Sequence, residues 1–206
     1  LKSKLFSGCG LFCYSEFSLT FGRSSNFVDT ALVKKVFHGL GRSVEGMALA
    51  AYFAEALIVL SPEPPEAEEL LRLMLNSLYM ISENKRPLPL IKAIFEMRVM
   101  SLSGYMPRIL ACDQCGRYDG TDFYLDTTDG VLLCADCADR QKHLPNLDEG
   151  ALFALRHICL AEDPKLFAFT LSGPSTRNLG KVCERYFVSK LDHGLKSLDF
   201  LHSVLE

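Results

Sequence analysis

Two Cys-x-x-Cys pairs, Cys112 with Cys115 and Cys134 with Cys137, stand eighteen residues apart near the middle of the chain. Each pair bends the backbone so that two sulfurs face one point. Two such turns complete a tetrahedron around a divalent ion, with metal–sulfur bonds of about 2.3 Å. Four thiolates fill every position of that tetrahedron, so the spacing implies one structural Zn2+ rather than a catalytic metal with an open position. Gly116 after the first pair and Gly130 before the second suit the tight turns this requires. A thioredoxin-like redox pair would want one Cys-x-x-Cys at a helix start after a strand, whereas two pairs stand here at ribbon spacing. His143, six residues past Cys137, is an alternative ligand, but with four cysteines present it reads as a surface or packing residue.

The remaining cysteines, Cys9, Cys13, Cys159 and Cys183, are scattered singly among apolar neighbours. A thiol in such company behaves as a small buried hydrophobe, which argues against a disulfide scaffold. No apolar run approaches the roughly 20 residues that a membrane-crossing helix needs, and no leader pattern opens the chain. A soluble, intracellular protein is therefore expected, with 206 residues enough for one good core or two small ones.

Along Leu11–Phe21, Phe17, Leu19 and Phe21 alternate with Ser18 and Thr20, the pattern of a strand with one wet face. Gly22–Asn26 supplies a turn, and Phe27–Phe37 reads as a second strand leading into a helix. Ser43 precedes a helix over about 44–60, which the Ser61-Pro-Glu-Pro-Pro65 stretch ends. A second helix runs over 66–81 with acids in its first turn. A third carries Ile91, Phe95, Val99 and Leu102 and is closed by Gly104. Segment 105–145 has cysteine, glycine and aspartate in place of helical periodicity. Beyond it, stripes at Leu152–Cys159 and Leu179–Phe187 and a last helix after Gly194 complete a mainly α chain.

Charge sharpens the picture. Residues 1–45 hold six Lys or Arg against three acids, while 106–206 hold eleven against fifteen. Within 112–140 there are seven aspartates and only two bases, Arg117 and Arg140. A zinc tetrathiolate is itself formally dianionic, so this knuckle should repel phosphates and serve as a scaffold or protein-contact element rather than a DNA reader.

At this point the chain resembles a known family, the bacterial DNA repair and recombination protein RecO of the zinc-finger type. The resembling residues are Phe95-Glu96 leading to Gly104-Tyr105-Met106-Pro107, then Cys112-x-x-Cys115-Gly116, Gly130-Val-Leu-Leu-Cys134-x-x-Cys137, and Leu195-Lys-Ser-Leu-Asp-Phe-Leu201. The resemblance implies a partial OB-fold barrel over 1–40, lacking roughly its first three strands, and a helical domain over 41–206 with a zinc finger inserted at 108–140. It also implies a cytoplasmic, nucleoid-associated mediator without catalytic turnover. Such proteins bind and anneal single- and double-stranded DNA and contact the acidic tail of single-stranded DNA-binding protein; with RecR they help load RecA.

OB folds hold single strands with basic groups and stacked aromatics, so Lys2, Lys4, Arg23, Lys34 and Lys35, near Phe12, Tyr14 and Phe17, are the DNA-binding candidates. An acidic, aromatic-ended tail needs a cation beside an apolar pocket, for which Arg98 and Arg108 are the candidates. An enzyme is disfavoured: no HExxH, P-loop or GxSxG motif occurs, and the five histidines are scattered. The alternative is a zinc-stabilised protein-interaction scaffold without direct DNA binding.

Overall fold

The computed structural model describes residues 5–60 and 66–205. The proline-rich break at 61–65 lies outside them, as do Lys2 and Lys4. Strand β1 (Cys13–Phe21) turns back through Gly22, whose amide donates to the Ser25 carbonyl, into β2 (Asn26–Val36). The two are antiparallel, with irregularities in register between Tyr14 and Ser15 and between Ser18 and Leu19.

The expected single wet face is corrected here. Phe17, Leu19 and Phe21 are 45%, 49% and 74% exposed, and Phe27 and Leu32 across the hairpin are exposed too. The hairpin is covered at its root, where Phe12 and Phe37 line a depression with Met74 and Leu78 of the second helix, and at Ala31, against which Gly8 of a short 3-10 turn (Phe6–Cys9) packs. The apolar alternation encodes a strand, but no described element packs on either side of its outer half.

A short 3-10 turn at His38–Arg42 leads to helix α1 (Val44–Leu60). Ser43 caps it as the sequence predicts, its Oγ accepting from the Gly46 amide at 2.9 Å. Helices α2 (Glu66–Ser82) and α3 (Leu88–Leu102) follow. Gly104, at φ +83°, closes α3, and the Tyr105 amide reaches back to the Met100 carbonyl at 2.8 Å, satisfying an otherwise orphaned acceptor. Gly39 is a glycine for another reason. A Cβ there would collide with the Ser82 carbonyl, and its amide donates to Ser82 Oγ at 3.0 Å, so the end of α2 lies directly on the exit of β2.

The body is a helical bundle around α3, joined by α5 (Glu149–Leu160), α6 (Gly173–Ser189) and α7 (Lys196–Leu205). The sequence marks one apolar stripe on α3, yet the helix is buried on nearly every side, Lys92 and Glu96 included. Phe53 of α1 stacks on Phe95 with centroids 3.8 Å apart. The interior charges are matched. Lys92 Nζ lies 2.5 Å from Glu96 Oε1 and 2.6 Å from Glu184 Oε2 of α6, and Tyr52 donates to the same Glu96 oxygen at 2.7 Å. Burial pushes Glu96 above the usual carboxylate range, while the two flanking carboxylates outweigh burial at Lys92 and hold it charged.

Segment 105–145 does contain regular structure. Strand β3 (Asp122–Asp126) pairs with β4 (Val131–Cys134) and with the two-residue β5 (Leu147–Asp148), giving the order β4-β3-β5, and helix α4 (Ala135–Arg140) follows β4. Phe123 and Leu125 are fully buried and alternate with the more exposed Asp122, Tyr124 and Asp126, a period of two that the aspartates disguise.

Asp148 joins insert and body: it caps α5 through the Ala151 amide at 3.0 Å and accepts from Asn178 of α6 at 2.8 Å. Burial alone would raise its pKa, but these hydrogen bonds outweigh it and hold the carboxyl below its usual range. The cap's contribution is therefore complete above the unfolded carboxylate value and is lost as pH falls through the lower folded one. Asp148→Ala is expected to cost about 1 kcal/mol at neutral pH. Urea titrations should show the gap between wild type and variant closing on strong acidification; a gap independent of pH would contradict the assignment.

Candidate metal centre

The first cysteine pair sits on a tight turn. The Gly116 amide returns to the Cys112 carbonyl at 2.9 Å with Gly116 at φ +72°, and the Cys112 amide donates to the Arg117 carbonyl at 2.8 Å. The Asp113 amide donates to Leu132 of β4 at 2.7 Å, which lays this turn against the strand that delivers Cys134. Cys134 then stands immediately before α4, and Cys137 follows one turn later on the same side.

The four sulfurs lie within 4.8 Å of one another, and Cys115 Sγ is 3.6 Å from Cys134 Sγ. A tetrahedron with metal–sulfur bonds of about 2.3 Å has sulfur separations of about 3.8 Å, so the cluster fits a tetrathiolate metal site. Its electrostatics agree. Burial opposes ionisation of Cys112, but the amides of Cys134, Cys115 and Gln114 outweigh it and bring the thiol down to about 6. Burial and the three neighbouring sulfurs push Cys137 up to about 12. Four thiols this close cannot all ionise unaided; a divalent cation between them removes the conflict. Cys112, Cys134 and Cys137 are buried, whereas Cys115 is exposed. His143 is not in the cluster: its ring stacks on Tyr124 with centroids 4.6 Å apart.

Among the described residues no cysteine is in a disulfide. Cys159 and Cys183 are buried as expected of isolated thiols, but Cys9 is exposed and Cys13 only half-buried, because the hairpin root that carries them is thinly covered.

The centre is fastened to the body from two helices. Arg156 of α5, 5% exposed, donates to the carbonyls of Ile109, Leu110 and Tyr118 and lies 4.2 Å from the Tyr118 ring centroid. From α6, Tyr186 donates to the Tyr105 carbonyl, Ser189 to Thr127 and Lys190 to Thr128. Sequence reading missed these anchors. Arginine on a helix face is ordinarily a solvated charge, and nothing local in the chain marks Arg156 as facing inward.

Around the sulfurs, Arg140 Nη2 donates to Cys137 Sγ at 2.7 Å. Arg117 pairs with Asp136 at 2.7 Å and is held charged first by that carboxylate and then by Cys134 and Cys115. Arg108, highly exposed, pairs with Asp113 at 3.1 Å and lines a depression that also holds Asp126 and Asp129. Arg98 is elsewhere, donating to the carbonyls of Ile158 and Cys159 at the end of α5 and to Asp163 at 2.9 Å. The two arginines singled out for an acidic tail share no partner.

The DNA-binding candidates are likewise spread out. Arg23 is exposed at the hairpin tip, while Lys34 pairs with Glu16 at 2.6 Å. Lys35, at the root beside Tyr14, sits 5.8 Å over the Tyr79 ring. Tyr14 and Phe17 are exposed, and Phe12 is half-buried.

The fold and the site together define a mainly helical protein that carries a four-cysteine knuckle able to hold a metal ion. A family model described as Recombination protein O C terminal matches residues 42–199, and the chain belongs to that family. It is 34% identical over 206 residues to the DNA repair protein RecO of Acetivibrio thermocellus, covering 98% of this chain and 81% of that protein. The DNA repair protein RecO of Symbiobacterium thermophilum is 27% identical with the same coverage. That of Dehalococcoides mccartyi is 28% identical over 83% of this chain and 67% of the relative. Among the described residues no helix is long and apolar enough to cross a membrane.

Proposed function

We propose that this chain acts in DNA repair as a recombination mediator without catalytic turnover. It binds single- and double-stranded DNA, anneals complementary strands and, with RecR, helps load RecA onto DNA covered by single-stranded DNA-binding protein, whose acidic tail it contacts. The observation that carries this reading is the family membership, with relatives named as DNA repair proteins aligned along nearly the whole chain. The resident metal is Zn2+, the divalent ion that four thiolates at these separations suit best, and its role is structural. The protein works in the cytoplasm, at the nucleoid.

The four DNA-binding candidates other than Lys34 are Lys2, Lys4, Arg23 and Lys35, and Lys34 is shared with Glu16. Phosphate contacts from such a set make binding fall steeply with salt, since each neutralised phosphate releases counterions. Binding of fluorescent single-stranded DNA to the full-length gene product across a salt series tests this. A steep loss of affinity with salt, together with accelerated strand annealing, supports the mediator.

The acidic knuckle favours a second reading, a zinc-stabilised interaction scaffold. Asp113, Asp126 and Asp129 surround Arg108, and both knuckle arginines are engaged by local partners. Absent DNA binding with retained binding to RecR would select the scaffold over the mediator.

A further inference from the structure

The knuckle's two bases are both committed to the sulfur cluster, and one touches it. Arg140, on the last turn of α4, directs Nη2 at the sulfur of Cys137, three residues back on the same helix, at 2.7 Å. Arg117, beyond the first cysteine pair, reaches across to Asp136, which lies between the two cysteines of the second pair. A zinc centre with four thiolates carries two formal negative charges. The surrounding segment adds seven aspartates and has no other base between 112 and 140. Charge on the sulfurs makes them targets for protons and for competing chelators, and it is lowered only by donors aimed at them. A guanidinium aimed at a thiolate is a charge-assisted donor of this kind.

We propose that Arg140 is a positioning residue of the metal centre: its guanidinium neutralises the Cys137 thiolate and thereby slows loss of the metal. Arg117 clips the two cysteine turns together through Asp136 without touching a sulfur. The proposal rests on the reading of the cluster as a zinc site. It goes beyond that reading by assigning the knuckle's arginines as counter-ions of the centre rather than as phosphate contacts.

The test compares wild type, Arg140→Met, Arg140→Lys and Arg117→Met as full-length proteins. Zinc release into a colorimetric chelator gives the rate, and the thiolate-to-metal charge-transfer band of the cobalt-substituted protein reports electron density on the sulfurs. Arg140→Met should release zinc about 10- to 100-fold faster and shift the cobalt band, with Arg140→Lys restoring a large part of both. Arg117→Met should speed release but leave the band in place. Release and band for Arg140→Met indistinguishable from wild type would overturn the proposal. So would a changed salt dependence of DNA binding in that variant with unchanged zinc release, which would mark a phosphate contact. Should Arg140→Met be poorly folded, Arg140→Gln takes its place: the folded glutamine variant should show faster zinc release and a shifted cobalt band, and release and band equal to wild type would overturn the proposal. Wild type that holds no zinc would defeat the zinc reading itself, a result distinct from all of these.

Discussion

Protein carrying Cys134→Ser is expected to hold no metal and to lose amide-exchange protection first across residues 108–140. Cys134 ends β4, leads directly into α4 and pairs with Phe123 across the sheet, so one substitution opens the metal site and the fold of the insert together. Metal binding in small zinc-finger peptides contributes on the order of 10–16 kcal/mol. A whole domain is stable by only about 5–15 kcal/mol. The effect should therefore spread. The carbonyls that Arg156, Ser189 and Lys190 occupy belong to the insert, so its melting removes the partners of three side chains on α5 and at the end of α6. Metal analysis and exchange measured by mass spectrometry check both halves of the prediction. A metal-free variant with native protection over 108–140 would refute it.

Lys92→Met should destabilise the bundle by about 3–5 kcal/mol, the range for breaking a buried ion pair by removing one partner. Glu96 is completely buried, its Oε2 has no hydrogen-bond partner among the described residues, and Glu184 on α6 would face it without the intervening ammonium. The loss should come from the stranded charge, so Lys92→Met combined with Glu96→Leu should recover much of it. Guanidinium titrations of the single and double variants measure the difference. A double variant less stable than Lys92→Met would show that the pair is held by packing, not by charge.

Much of this was legible in the chain. The four cysteines announced their convergence through spacing alone, because a Cys-x-x-Cys turn fixes its own local geometry. The ends of α1 and α3 were legible for the same reason, Ser43 and Gly104 acting on amides and carbonyls within a few residues. What stayed hidden depends on distant partners. The aromatic alternation of β1 says that a strand forms but not that its outer half lies open. The i,i+4 spacing of Lys92 and Glu96 reads as an exposed helix pair, and only the third carboxylate, from α6, shows why both are inside. Arg98 and Arg108 looked equivalent in sequence, yet one closes the end of α5 and the other sits among aspartates.

The crowding of Gly39 against Ser82 has a mechanical meaning. With no room for even a methyl group where the two-stranded arm leaves the bundle, and with an amide tied to the Ser82 hydroxyl, that crossing behaves as a weld instead of a hinge. Torque applied to the arm would pass straight into α2, and any larger side chain at this residue would have to pry arm and bundle apart.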